Sequence, residues 1–157
     1  MIWQTGDILD IANSERCNVV AFTANSVLNK NGALVMGAGV AKRIRDHYPD
    51  IDAKLGSKIT KKLGENNQAD FHVAVQKVED VFVVAVQVKR DWRDNGDWDL
   101  TVESLELLAR YLSEYPHLKC VLNCPLIGLG GFGNQQDKVR KMVESVFENT
   151  DIIVCVK

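Results

Sequence analysis

VFVVAVQV, Val81–Val88, is apolar at every position but Gln87. A strand with one face in water alternates apolar and polar residues, and this one does not, so it is covered on both faces. Covering both faces of a sheet takes helices on each side, which makes the fold an α/β class three-layer α/β/α sandwich. Just upstream, DFHVAVQ (Asp70–Gln76) alternates cleanly, as a half-buried strand does. Only Lys77 to Asp80 lie between the two runs, short enough for a hairpin turn, so the central sheet is mixed.

Working outward, the remaining chain supplies the other layers. Val102, Leu105, Leu108, Ala109 and Leu112 form a helical stripe after the buried strand. KCVLNCPLI (Lys119–Ile127) is again a buried strand, and Val139, Met142, Val143, Val146 and Phe147 follow at i, i+3, i+4, i+7, i+8. DIIVCV (Asp151–Val156) is a final strand. Toward the N-terminus, Ile2–Thr5 is a weak strand and CNVVAFTA (Cys17–Ala24) a stronger one. Val40, Ile44 and Tyr48 share a helix face that ends at Pro49. A further helix carries Ile51, Leu55 and Ile59, with Asp50 placed to cap it and Gly64 to stop it.

At 157 residues, with 46% apolar and 25% charged residues, the chain reads as one globular domain over 1–157. No run approaches the roughly 18 apolar residues of a membrane span. MIWQTGDILD has neither a basic n-region nor an h-region, so no signal peptide is expected. Cys17, Cys120, Cys124 and Cys155 sit in apolar runs without a C-x-x-C pair, which fits buried, reduced thiols and a cytoplasmic location. A net charge of −2 argues against a nucleic-acid partner, although a small anion gripped by backbone amides stays open. His47, His72 and His117 are scattered without metal-ligand spacing, so neither a metal nor a cofactor is implied. A monomer is expected.

Two glycine-rich segments each precede a helix. One is MGAGVAKRI, with Gly37, Ala38, Gly39 and Val40; the other is PLIGLGGFGNQQ, with Gly128, Leu129, Gly130, Gly131, Phe132 and Gly133. Glycine lets a ligand approach the main chain, and bare N–H groups at helix starts attract anions. Two such loops could clamp a diphosphate, with Phe132 as an apolar wall; the bland reading is two tight turns. No G-x-x-x-x-G-K-[ST] string occurs, and GAGVAK has Lys42 where a dinucleotide fingerprint needs its third glycine.

Taken in order, GDILD, ANSVL, MGAGVAKRI and PLIGLGGFG resemble the macro-domain family across nearly the whole chain. MGAGVA with the long last helix looks closer to the terminal ADP-ribose glycohydrolase and ADP-ribose-1″-phosphatase branch than to the MacroD branch. The resemblance implies an α/β/α module that binds ADP-ribose or an ADP-ribosylated partner, and in several relatives hydrolysis of ADP-ribosyl bonds or ADP-ribose-1″-phosphate. Asp7 would then accept from the adenine amino group beside the backbone of Ile8, and Asn25 would bond the distal ribose. As local chemistry, Asp7 is equally a turn or cap residue and Asn25 an Asx-type turn. Gly37–Val40 would line one side of the diphosphate and Gly128–Gly133 the other, with Phe132 against the ribose.

The catalytic positions match less well. The acid of the MacroD branch falls at Ala41 and that of the glycohydrolase branch at Phe132. Lys89 is the nearest counterpart of the latter branch's nucleophilic lysine, with Asp91 in the same loop, so the catalytic candidates are Asn25 and Lys89. The long loop after Asn25 adds Asn29, Lys30 and Asn31 as phosphate contacts or as part of a lid. Trp92 and Trp98 sit in a polar loop, where one ring stacks on adenine or both pack beneath it. Lys54, Lys58, Lys61 and Lys62 line one side of a helix, a solvated face or a polymer-facing patch.

Overall fold

The computed structural model describes residues 1–66, 69–125 and 135–157. Within them the chain runs β1 (Ile2–Thr5), α1 (Ile8–Ser14), β2 (Val19–Ala24), α2 (Gly39–His47), α3 (Ile51–Asn66), β3 (Val73–Val78), β4 (Val81–Gln87), α4 (Trp98–Glu114), β5 (Cys120–Asn123), α5 (Gln136–Val146) and β6 (Ile152–Val156). The strands form one sheet in the order β1-β6-β5-β2-β4-β3. All neighbours are parallel except β3 and β4, the hairpin expected from the short Lys77–Asp80 connection. The mixed three-layer α/β/α sandwich is thus the observed fold.

The side-chain alternation of β2 divides the core. Val20, Phe22 and Ala24 face α1, α2 and α3, with Ile44, Ile51, Leu55 and Ile59 packed on that side. Val19 and Ala21 face α4 and α5, where Leu105, Leu108, Val139, Val143 and Phe147 are buried. Burying each such aliphatic side chain is worth roughly 1.5–3 kcal/mol, so both helical layers hold the sheet firmly.

Local expectations shift where packing overrules propensity. Helix α1 has no counterpart in the sequence reading: seven residues are too few to display a period, yet Ile8, Leu9, Ile11 and Ala12 bury one face of it. β2 begins at Val19 instead of Cys17, and β3 at Val73 instead of Asp70. Gly64 does not stop α3, which runs on to Asn66; a helix glycine costs about 1 kcal/mol, less than the buried Ile51–Leu55–Ile59 stripe returns. Asp50 sits at φ 62°, outside the extended backbone of an N-cap, and its carbonyl accepts from Lys54 N–H. All four cysteines are buried and free of disulfides, and burial pushes the Cys155 thiol up to about 11. No described helix is long and apolar enough to cross a membrane.

Candidate functional site

In a sheet of this kind, ligands sit at the carboxyl ends of the strands where connections leave in opposite directions. That point lies between β5 and β2. From β2 the chain passes to α2 on one face, whereas from β5 it passes to α5 on the other. The connection 25–38 follows β2 at this edge, and the connection after β5 lies largely outside the described residues. Asp7 at the end of β1, Asn25 at the end of β2, Gly37–Val40 entering α2, and Lys89 after β4 all come to this same edge.

Asp7 caps α1, its Oδ1 accepting from Leu9 N at 2.9 Å and Asp10 N at 3.2 Å. It also holds Arg43 of α2 in a two-pronged pair, Nε to Oδ2 at 3.0 Å and Nη2 to Oδ1 at 3.3 Å. Arg43 above all, with the two N–H bonds, holds the Asp7 carboxyl below its ordinary value despite partial burial. The cap and the ion pair use Oδ1 three times and Oδ2 once, leaving lone-pair capacity on Oδ2 for a donor such as an amino group. Arg43 was missed in the sequence, although it stands four residues after Gly39 on the same helical face. The side chain of Ile8 is 2% exposed and belongs to the core, which leaves only its main chain to meet a ligand at this edge.

Asn25 is only 7% exposed. Its Oδ1 accepts from Val27 N at 2.8 Å, an Asx turn, and its Nδ2 donates to Val35 O at 3.1 Å, tying the two ends of the following loop. That loop is stapled down: Asn29 Oδ1 accepts from Asn31 N and Ala33 N, Leu34 N donates to Asp52 O, and Ala33, Leu34 and Met36 are buried. Asn29 is therefore committed within the loop, while Lys30 is exposed. At its start, Ser26 N and Oγ both donate to Arg90 O at 3.0 Å. Arg90 in turn grips Asp70 through Nε (3.0 Å) and Nη2 (2.8 Å) and Asp97 through Nη1 (3.0 Å). Fully buried Gln87 completes the brace, accepting from Phe71 N and His72 N and donating to Asp70. A glutamine in an otherwise apolar strand was the available signal for this network.

The first glycine turn separates conformational need from vacancy. Gly39 has φ 59°, a left-handed backbone that side chains rarely adopt. Gly37 has no such φ, and among the described residues a Cβ there would meet nothing within 4 Å, so their packing gives no reason for a glycine. Ala38 caps α2 without a side-chain hydrogen bond, and no acidic residue occupies the first turn. The positive end of the α2 dipole thus stands at the carboxyl edge of the sheet without a counter-charge in its own first turn.

Asn123 lies at the switch point itself. The β2–β5 ladder ends at Ala21 and Leu122, and beyond it Thr23 N donates to Asn123 Oδ1 at 3.1 Å while Asn123 Nδ2 donates to Thr23 Oγ1 at 3.0 Å. Lys89 folds onto its own loop, its ammonium donating to Trp92 O at 3.3 Å and Asp94 O at 3.4 Å. Asp91 is engaged by Arg93, which lowers its carboxyl to about 2. Trp98 packs on the α4–α5 layer beneath Lys138, whereas Trp92 is 54% exposed with Arg93 over its ring. Four strand spacings separate the ends of β1 and β4, about 19 Å, so Asp7 and Trp92 occupy opposite ends of the edge. Lys62 reaches the sheet, donating to Val73 O at 2.7 Å, so it is not part of a free basic face. Gly128, Leu129, Gly130, Gly131, Phe132 and Gly133 lie outside the described residues. Among those described, no group of three or more His, Cys, Asp or Glu is placed to hold a metal ion.

No protein-family model matches the chain, and no curated protein matches it in sequence. Solved structures do match in shape. The macrodomain of Thermus aquaticus DarG superposes with a TM-score of 0.73 at 18% identity, over 99% of this chain and 97% of that one. Thermosipho africanus DarTG in complex with ADP-ribose matches at 0.73 and 17%, over 90% of this chain and 38% of that chain. The Oceanobacillus iheyensis macrodomain with ADP matches at 0.62 and 19%, over 98% and 80%. At these identities the likeness establishes the fold: this chain has the macrodomain fold.

Proposed function

We propose that this macrodomain-fold chain binds ADP-ribose, free or attached to a partner, along the carboxyl edge of its sheet. One observation carries the reading: Gly37 and the uncapped start of α2 leave main chain bare at the carboxyl edge of the sheet, where nothing in the packing of the described residues calls for it. Bare amides at a helix start suit a diphosphate. Asp7, with capacity left on Oδ2, suits an amino-bearing base at one end of the edge. The bound ADP-ribose of a structure sharing the fold is consistent with this. Gly128, Gly130, Gly131, Phe132 and Gly133 would complete the clamp.

Binding is preferred to turnover. Asn25 is tied at both its amide atoms, Lys89 rests on main-chain carbonyls, and Asp91 is neutralised by Arg93. The domain is read as a monomer, and its buried thiols suit a reducing compartment such as the cytoplasm.

Isothermal titration with ADP-ribose, and with AMP as control, tests the proposal. Micromolar affinity for ADP-ribose with much weaker binding of AMP is expected. A folded protein that releases no heat with ADP-ribose would overturn it.

A further inference from the structure

We propose that the apolar pocket between the second half of α4 and the β3–β4 hairpin binds a small uncharged aromatic molecule, at a site separate from the carboxyl edge of the sheet.

The pocket has a volume of about 440 Å³, within the roughly 300–1,000 Å³ of small-molecule sites. Val75 and Phe82 line it from the sheet, Leu108, Tyr111 and Tyr115 from α4, and His117 from the turn that follows. Val19 also lines it and pairs with Phe82 at the starts of the parallel strands β2 and β4. The pocket therefore lies at the amino ends of these strands, away from Asp7, Asn25 and Gly37. Its origin is the strand order: β3 ends the sheet, while Leu105, Leu108 and Leu112 of α4 share a buried layer with Val19 and Val84 on more central strands. Val75 on β3 is left 38% exposed, and Tyr115, which closes α4, 52% exposed. Of the four large apolar side chains exposed among the described residues, these two meet at one pocket, whereas Ile2 and Trp92 stand elsewhere. Such a concentration of wet apolar surface marks a place where something docks.

Charge complementarity selects the ligand. No lining residue is Asp, Glu, Lys or Arg, so an ion entering the pocket would lose its water with nothing to replace it. Lys77, on the same face of β3, holds its ammonium 5.8 Å from the centroid of the Phe82 ring and is not part of the lining. Phe82, Tyr111, Tyr115 and His117 present rings, and Tyr115 and His117 already stand edge to face at 6.3 Å. Rings pack best against another ring in such offset or edge-on geometry. The Tyr111 and Tyr115 hydroxyls and the His117 imidazole are the only polar side-chain groups of the lining, enough to meet one neutral N–H or O–H.

The experiment is calorimetric titration of indole into the full chain, Val75→Trp and Tyr115→Ala, with octanoate as an apolar anion for comparison. Thermal melts and sedimentation accompany each. Indole should bind wild type saturably and more tightly than octanoate. Val75→Trp, which fills the mouth from an exposed position, should melt like wild type and bind indole at least tenfold more weakly. Tyr115→Ala should bind it roughly two- to tenfold more weakly. ADP-ribose affinity should be the same in all three chains, and its loss together with indole would overturn the separateness of the site. Absence of indole binding to folded wild type, or equal affinity in folded Val75→Trp, would overturn the inference and leave the ADP-ribose reading intact. Should Val75→Trp fail to fold, unchanged affinity in Tyr115→Ala would overturn it instead. Tighter uptake of octanoate would overturn the uncharged class by bringing Lys77 into the site. A wild-type dimer that Val75→Trp dissociates would overturn the proposal by assigning the pocket to a second copy.

Discussion

Asp7 shows how much one carboxylate can carry. It caps α1, pairs with Arg43 and keeps room on Oδ2 for a ligand donor. Replacing it with alanine should cost about 1 kcal/mol of stability for the lost cap, visible in a urea melt. It should also weaken ADP-ribose binding by roughly 1–3 kcal/mol in a titration; equal affinity would remove Asp7 from the site. The pH dependence follows from the direction of its shift. Its carboxyl is held below the ordinary 3.8, chiefly by Arg43, so between the folded and unfolded values the unfolded chain binds more protons. The stabilisation is therefore complete above pH 3.8 and is lost as pH falls through the lowered value. Asp7→Asn should flatten that acid limb in melts recorded below pH 4. Lys89 offers the converse case: held on Trp92 O and Asp94 O, it is expected to leave ADP-ribose affinity unchanged when replaced by methionine.

Three glycines separate conformational from steric need among the elements. At Gly56 in α3, a Cβ would overlap the Gly32 carbonyl, so helix and loop touch through bare backbone. Gly56→Ala should lower stability by about 1–3 kcal/mol, read from the melting temperature, and loosen the loop that Asn25 and Asn29 organise. Gly39 needs its left-handed backbone, so a branched residue there strains the start of α2. Among the described residues nothing imposes either need on Gly37, and Gly37→Val should fold with wild-type stability while losing ADP-ribose binding at least tenfold. Retained affinity in that variant would mean that the α2 entrance is simply a turn.

At the scale of the molecule, a ligand that binds only the folded state raises its stability by mass action. At a hundred times the dissociation constant this amounts to about 2.7 kcal/mol, or a rise of roughly 5–10 °C in melting temperature for a chain of this size. ADP-ribose should produce that rise in wild type and not in Gly37→Val. The geometry gives a reason to expect an elongated ligand. Asp7 follows β1 and the loop carrying Trp92 follows β4, strands about 19 Å apart across the sheet with the switch point between them.

The layering of the fold was legible because it rests on pattern: the unbroken apolar run Val81–Val88 demands cover on both faces, and the helical stripes supply it. The glycine entrance to α2 was legible too, as a bare-backbone composition. What no pattern could state is which groups meet across long separations. The pairs Arg43–Asp7 and Asn123–Thr23, and the brace of Arg90 with Asp70 and Ser26, join residues 36, 100, 20 and 64 positions apart. Strand order alone brings them to one edge. For the same reason Asn25 and Lys89 carried an ambiguous signal, since residue type permits several roles and only neighbours select one. Periodicity records burial, which is local and averaged; hydrogen-bond partners depend on tertiary position, and the tertiary structure decided them.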